Sequence, residues 1–214
     1  MNLIDLILHV DRSVAYIFQE WGWMAWALVF LIIFVETGVV VFPFLPGDSL
    51  LFACGAFAAT QDQPVWLFLI LITTAALIGN TVNYSIGRKF GALLLKDRPG
   101  RKPFIKPEHL EETHRFFEKW GGWAVTLGRF FPIIRTITPF VAGVGKMGFR
   151  AFTFYNVLGG LAWTGIFVMV GYFFGNLPWV KENFSLVVLA LIVIPALPAL
   201  AAFVRAAFVP KKKD

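Results

Sequence analysis

Residues 34–59, FVETGVVVFPFLPGDSLLFACGAFAA, form an apolar run long enough to enter a bilayer, but the run contains two acids and two prolines. A carboxylate near the bilayer centre costs roughly 2.5 to more than 10 kcal/mol, so Glu36 and Asp48 are expected to face protein or a wet cavity. Pro43 and Pro46 break the helical backbone, and the freed backbone groups must then be buried in protein or line water. The run therefore predicts a broken, re-entrant element that carries a functional site.

The composition of the chain indicates a membrane protein. Of its 214 residues, 58% are hydrophobic and only 15% charged, with a mean hydropathy of +0.72, whereas soluble domains carry about 25% charged residues. The net charge of +6 comes from short basic runs beside apolar segments, a pattern typical of cytoplasmic loops rather than of nucleic-acid binding. We therefore predict an all-α polytopic membrane protein in which residues 1–214 form a single domain.

Three uncharged segments are long enough to cross a hydrocarbon core of about 30 Å, for which about 20 residues suffice. They are residues 64–87, 151–175 and 184–204. Residues 88–120 are predicted to form a basic cytoplasmic loop and an amphipathic helix that begins at Pro107. The lysines at the end of the chain place the C-terminus in the cytoplasm as well.

Residues 121–146 form a second broken element. Both flanks are predicted to be cytoplasmic, so this apolar segment must enter the membrane and return on the same side. It is interrupted by Pro132 and Pro139, and it carries Arg129 and Arg135. The chain therefore has an acidic broken element early and a basic one late.

A weak internal repeat pairs residues 21–62 with residues 121–146. In the first element a Phe-Pro pair leads to Gly55 much as a second Phe-Pro pair leads to Gly143 in the other. We therefore expect two re-entrant helical hairpins that face each other in an inverted repeat, an architecture that recurs in transporters. Residues 1–20 are predicted to form an interfacial helix, and the side of the membrane on which the N-terminus lies stays open.

The four charges inside the broken elements are the candidate site residues. Arginine offers a planar fork of donors that matches phosphate, so Arg129 and Arg135 are predicted to bind a phosphate group. Buried carboxylates beside cations are able to exchange protons near neutral pH, which makes Glu36 and Asp48 candidates for proton coupling. A structural alternative stays open, in which Glu36 pairs with Arg129 and Asp48 with Arg135 only to hold the elements together.

Polar residues within the predicted spans have two interpretations. Asn80, Asn83 and Tyr84 are candidates for lining a cavity, and interhelical hydrogen bonding is the alternative. For Asn156 and Trp163 we favour packing. No nucleophile with a base, no metal site and no cofactor motif is evident in the sequence, so we expect a protein that is not an enzyme.

Several ordered motifs along the chain resemble the bacterial DedA family of inner-membrane proteins, within the VTT-domain superfamily, and their wording is closest to the family's namesake. They are Phe34-x-Glu36-Thr-Gly38, Pro43-Phe-Leu-Pro46-Gly47-Asp48, Asn83-Tyr84-x-x-Gly87-Arg88, Gly128-Arg129-Phe-x-Pro132-x-x-Arg135-Thr and Gly171-Tyr172-x-x-Gly175. The resemblance implies two facing re-entrant hairpins. It also places the family's functional acidic and basic positions on Glu36, Asp48, Arg129 and Arg135.

The function implied by the resemblance is membrane homeostasis that depends on the proton-motive force. For several members it implies the return of undecaprenyl phosphate across the membrane. We therefore expect a flippase for a phosphate-bearing lipid, either undecaprenyl phosphate or a phospholipid, with protons and a second copy of the chain in a homo-oligomer as the other candidate partners. A phospholipid scramblase and a proton-coupled small-ion antiporter are the alternatives. Asn80 departs from the family pattern, because many relatives have an aspartate there.

Overall fold

A computed structural model describes residues 18, 20–38, 47–94, 107–175, 177–183 and 186–187, and the statements below refer to these residues. All regular elements within them are helical. They are α1 (Trp23–Gly38), α2 (Gly47–Thr60), α3 (Val65–Leu94), α4 (Pro107–Trp120), α5 (Trp123–Leu127), a 3₁₀ turn (Gly128–Phe130), α6 (Pro132–Val144), α7 (Phe149–Phe174) and α8 (Pro178–Glu182). The all-helical prediction is confirmed for this part of the chain.

Some predicted elements cannot be compared with the structure, because they lie outside the described residues. The interfacial helix of residues 1–20 and the third span of residues 184–204 lie almost entirely outside the described residues. The same is true of the segment that contains Pro43 and Pro46. The predicted break in the first element therefore stays a prediction.

Two helices, α3 and α7, are long and apolar enough to cross a membrane. The qualifying stretches are Val65–Gly91 and Phe149–Phe174, close to the predicted spans of residues 64–87 and 151–175. Both helices carry large apolar side chains on exposed faces, among them Trp66, Ile70, Phe154 and Leu161. An outer surface of this kind suits contact with lipid rather than with water.

The centre of the protein is α2, which packs mainly against α7. Residues 51–58 are all buried, including Cys54, which is fully buried and behaves as a small packing residue. Ile33 from α1 and Phe68 and Ile72 from α3 complete the same apolar core. The short helix α2 is therefore enclosed by the longer helices around it.

Two helix crossings in the molecule are built alike. A Cβ added to Gly55 or Gly171 would lie 2.0 or 2.1 Å from a backbone carbonyl oxygen across the α2–α7 crossing. At Gly87 and Gly143 the corresponding distance across the α3–α6 crossing is 2.2 Å. In the order of the chain, α2 and α3 of the first half correspond to α6 and α7 of the second half. The α2–α7 crossing therefore has the α3–α6 crossing as its counterpart, with the two halves exchanged. This geometry supports the predicted internal repeat.

The second broken element is interrupted at one proline, not two. Phe131 is extended, with φ −115° and ψ 112°, and Pro132 is the first residue of α6, so the predicted break there is confirmed. The predicted break at Pro139 is wrong, because Pro139 lies inside α6. Buried membrane helices tolerate proline where neighbouring groups hold the helix, and Pro139 is buried next to Thr138, whose hydroxyl donates to the Ile134 carbonyl at 2.6 Å.

The predicted amphipathic helix is present as α4, which begins at Pro107 as expected. Thr113 is fully buried, whereas His114 and Glu118 are exposed, with 3.8 Å between His114 Nε2 and a Glu118 carboxylate oxygen. α4 packs against α6 and α5. One face of the helix therefore covers the second broken element.

Candidate functional site

Glu36, Asp48 and Arg135 meet where α1 ends and α2 begins. Arg135 donates through Nη1 to Asp48 Oδ1 at 2.7 Å and through Nη2 to Glu36 Oε1. The Glu36 side chain is fully buried and that of Arg135 is 4% exposed, whereas that of Asp48 is 19% exposed. One arginine from the second broken element thus binds both acids of the first.

The local sequence explains why the acids point towards Arg135. Glu36 shares the buried face of α1 with Ala25, Val29 and Ile33, at spacings of three and four residues. Asp48 lies in the first turn of α2, where the helix dipole favours a negative charge. A Cβ added to Gly47 would lie 1.8 Å from Glu36 Oε2, so only glycine lets the start of α2 approach this carboxylate.

Arg129 lies in the 3₁₀ turn and is 2% exposed. Its Nη2 donates to Asn156 Oδ1 at 2.6 Å, and Asn156 Oδ1 also accepts from Asn80 Nδ2 at 3.0 Å. Arg129 Nε and Nη1 are buried without a hydrogen-bond partner among the described residues. The alternative in which Glu36 pairs with Arg129 is wrong, because Glu36 is bound by Arg135 instead.

Trp163 joins the two arginines. The guanidinium carbon of Arg135 is 5.1 Å from the centroid of the Trp163 ring, and that of Arg129 is 5.9 Å from it, both within cation–π range. The indole Nε1 donates to Asp48 Oδ1 at 2.9 Å. Trp163 therefore contacts three of the four charged side chains.

Sequence reasoning assigned Asn156 and Trp163 to packing and missed their part in the cluster. The available signal was their spacing, since seven residues are two helical turns and place both on one face of α7. Gly159 and Gly160 lie between them, and a Cβ added at Gly159 would be 3.0 Å from Arg129 Cδ. Gly159 and Gly160 leave space for the Arg129 side chain, which Asn156 and Trp163 contact.

The polar residues predicted on α3 separate into two groups. Asn80 reaches the cluster through Asn156, as described above. Asn83 donates through Nδ2 to the Thr136 carbonyl at 2.8 Å, and the Tyr84 hydroxyl donates to the Met147 carbonyl. Asn83 therefore makes the interhelical hydrogen bond that was the alternative to cavity lining, whereas Tyr84 bonds to the turn between α6 and α7.

The two acids and two arginines of the cluster sum to zero formal charge, but they are not paired one to one. Arg135 is bound by both carboxylates, whereas Arg129 forms no ion pair with any acid in the described ranges. A buried guanidinium with unpaired donors is costly unless an anion satisfies it. Among the described residues there is no group of three or more His, Cys, Asp or Glu residues that could hold a metal ion. The arrangement is thus suited to binding an oxyanion.

Comparison with known proteins identifies relatives across most of the chain. Residues 45–173 match the VTT domain. Protein DedA of Escherichia coli (strain K12) is 47% identical over 205 residues, covering 95% of this chain and 93% of that protein. An uncharacterized membrane protein of Mycobacterium tuberculosis is 40% identical over 179 residues, 83% of this chain and 78% of that protein.

A third relative is named as an inner membrane protein. YqjA of Escherichia coli (strain K12) is 32% identical over 155 residues, 72% of this chain and 70% of that protein. No solved structure matches the chain.

Proposed function

Because this chain belongs to the VTT-domain family together with DedA and other bacterial membrane proteins, we propose that it moves a phosphate-bearing lipid between the leaflets of the bacterial inner membrane. Undecaprenyl phosphate is the proposed first substrate, and a phospholipid is the alternative. The names of relatives such as YqjA support the inner membrane as the location. The observation that carries the proposal is that Arg129 is buried with two donor nitrogens that have no hydrogen-bond partner among the described residues.

Arg129 offers donors without partners in the described part of the chain. An unpaired buried donor costs about 1–3 kcal/mol, and more when the group is charged. A phosphate oxygen pair forms two parallel charge-assisted hydrogen bonds with a guanidinium. A phosphate bound along the Nη1–Nη2 edge would therefore give Nη1 a partner and use the second N–H of Nη2, while the first stays on Asn156.

Proton coupling follows from the position of Arg135. Arg135 is paired with two carboxylates, and protonation of either carboxylate weakens its ion pair with Arg135. Asp48 is the acid with exposed surface, whereas Glu36 is fully buried. Arg135, once released from an acid, becomes the second phosphate ligand beside Arg129 across Trp163.

The proposed movement uses the two broken elements as facing re-entrant hairpins in an inverted repeat. One hairpin supplies the acids and the other the arginines, so opening either side exposes the same cluster. The lipid tail stays in the bilayer, and only the head group needs the polar route. No bond is formed or broken in this cycle, which is in keeping with a transporter rather than an enzyme.

The proposal is tested by reconstituting the full chain in vesicles and following head-group exposure of undecaprenyl phosphate and of ordinary phospholipids. We expect Arg129→Gln to abolish movement, whereas Arg150→Gln, which changes an exposed arginine on α7, leaves the rate unchanged. Movement of both lipid classes identifies a scramblase, and movement of undecaprenyl phosphate alone a dedicated transporter. If neither lipid moves faster than in empty vesicles, the proposed function is wrong.

A further inference from the structure

A second feature lies away from the arginine cluster. A cleft of about 290 Å³ opens between α4, α6 and the turns that follow these two helices, with walls that include Phe117, Val141, Ala142 and Met147. We propose that this cleft binds one hydrocarbon chain of an anionic phospholipid whose head group rests on a basic rim formed by Arg88 and Lys146. The site is separate from the transport route and does not depend on the proposed function.

The shape and chemistry of the cleft suit part of a lipid. Its side-chain walls are apolar apart from His114, and two glycines, Gly121 and Gly122, line it at the turn between α4 and α5. Ligand pockets usually measure about 300–1,000 Å³, so the cleft accommodates a single chain segment and not a whole lipid. The head group must then lie outside it.

The rim supplies cations for that head group. Arg88 Nη1 donates to the carbonyl of the wall residue Met147 at 3.0 Å and to the Tyr84 hydroxyl at 2.6 Å, while the Arg88 residue remains exposed. Lys146 is exposed and lies in the chain between the wall residues Gly145 and Met147. A cation fixed at the mouth of an apolar cleft, with a second beside it, attracts a lipid phosphate.

Among the described residues, Glu118 is an acid near the cleft. Glu118 lies on the α4 side, and its carboxylate is 3.8 Å from Nε2 of the lining residue His114.

The cleft is also distant from the arginine cluster. Along α6, seven residues separate Ala142 from Arg135, which is about 10 Å at 1.5 Å per residue. We therefore expect substitutions at the cleft to leave the contacts of Arg135 unchanged.

Two substitutions test the cleft and the rim separately. Gly145→Leu fills the cleft at small backbone cost, since Gly145 has φ −71° and its Cβ would lie 3.3 Å from the Val141 carbonyl oxygen. Lys146→Asn removes the rim charge at a position with φ 54°, which asparagine tolerates better than most residues. The matched controls are Gly148→Leu, where an added Cβ meets nothing within 4 Å, and Lys119→Gln on α4.

The measurement is native mass spectrometry of the purified, delipidated full chain titrated with phosphatidylglycerol or phosphatidylcholine of the same acyl composition. The unsubstituted chain should retain one phosphatidylglycerol in preference to phosphatidylcholine. Lys146→Asn should weaken this binding about fivefold, as expected for one cation near an anionic head group. Gly145→Leu should weaken it about tenfold or more through lost chain burial, and both controls should stay within about twofold.

Equal retention of the two lipids by the unsubstituted chain overturns the proposal. A loss with Lys146→Asn but not with Gly145→Leu also overturns it, because the chain would then lie elsewhere. Circular dichroism of each variant checks the fold, and the exposed Lys146→Asn keeps the test open if Gly145→Leu does not fold. Phosphatidylglycerol binding by Arg129→Gln separates the two proposals, since that variant should lose transport and keep this site.

Discussion

The substitution Asn156→Asp tests the phosphate site most directly. Asn156 Oδ1 lies 2.6 Å from Arg129 Nη2 and accepts a second hydrogen bond from Asn80. An aspartate has the same shape and retains both acceptor bonds. It loses the long hydrogen bond that Asn156 Nδ2 donates to the Leu77 carbonyl at 3.3 Å, and it gives Arg129 a carboxylate partner. The change therefore alters the charge at Arg129 and leaves its position almost the same.

Asn156→Asp is expected to weaken phosphate binding strongly while changing the free energy of unfolding little. A carboxylate and a bound phosphate about 5 Å apart repel by about 3 kcal/mol at an effective dielectric constant of about 20, which weakens phosphate binding about a hundredfold. The stability of Asn156→Asp should stay within about 1 kcal/mol of the unsubstituted chain, because the Coulomb gain offsets desolvation. Asn156→Ala, by contrast, leaves two buried donors unpaired and should cost about 3–5 kcal/mol.

The assay is lipid movement in vesicles together with the thermal unfolding midpoint in detergent. Thr164→Val is the matched control on the same helix, since it removes the hydrogen bond at 2.7 Å between the Thr73 and Thr164 hydroxyls without touching an arginine. The control should lose about 1 kcal/mol of stability and keep its transport rate. If Asn156→Asp moves lipid at the unsubstituted rate, Arg129 is not the anion site and the reasoning fails.

Other substitutions in the cluster have separate expected outcomes. Gly47→Ala should lower the thermal midpoint by several degrees or prevent folding, because the added methyl group meets the Glu36 carboxylate; an unchanged midpoint would contradict the close approach. Trp163→Phe keeps a ring beside the arginines but loses the hydrogen bond to Asp48, so transport should fall several-fold. The buried hydrogen bond and the lost ring volume should together cost about 1–3 kcal/mol of stability, and a rate equal to that of the unsubstituted chain would count against this role. Arg135→Gln leaves Glu36 buried without its cation and should cost about 3–5 kcal/mol. Adding Glu36→Gln should recover most of that loss, which chemical denaturation of single and double variants in detergent would measure; additive losses would refute the pairing.

The sequence predicted the residues of the cluster better than their contacts. Glu36, Asp48, Arg129 and Arg135 could be chosen because a charge in an apolar segment has to be compensated, and all four lie in or beside one buried network. Which acid meets which arginine depends on the relative rotation and depth of α1 and α6. No local pattern encodes that rotation, so the Glu36–Arg129 pairing could not be excluded beforehand.

The supporting residues were harder to identify for a different reason. Asparagine and tryptophan within an apolar helix serve interhelical hydrogen bonds as readily as they serve a site, so Asn156 and Trp163 gave no decisive signal. Asn83 has the same kind of context and does make interhelical bonds. The error at Pro139 has a similar origin, because burial among neighbouring helices overrides the local preference of proline to end a helix.

The paired glycine crossings bear on the energetics of any movement. A helix that meets a backbone carbonyl through glycine fits in one register, because a shift along the contact brings a residue with a Cβ against that carbonyl. Since the α2–α7 and α3–α6 crossings are built alike, each of these two helix pairs should move as one unit, and any rearrangement of the chain should leave both crossings intact.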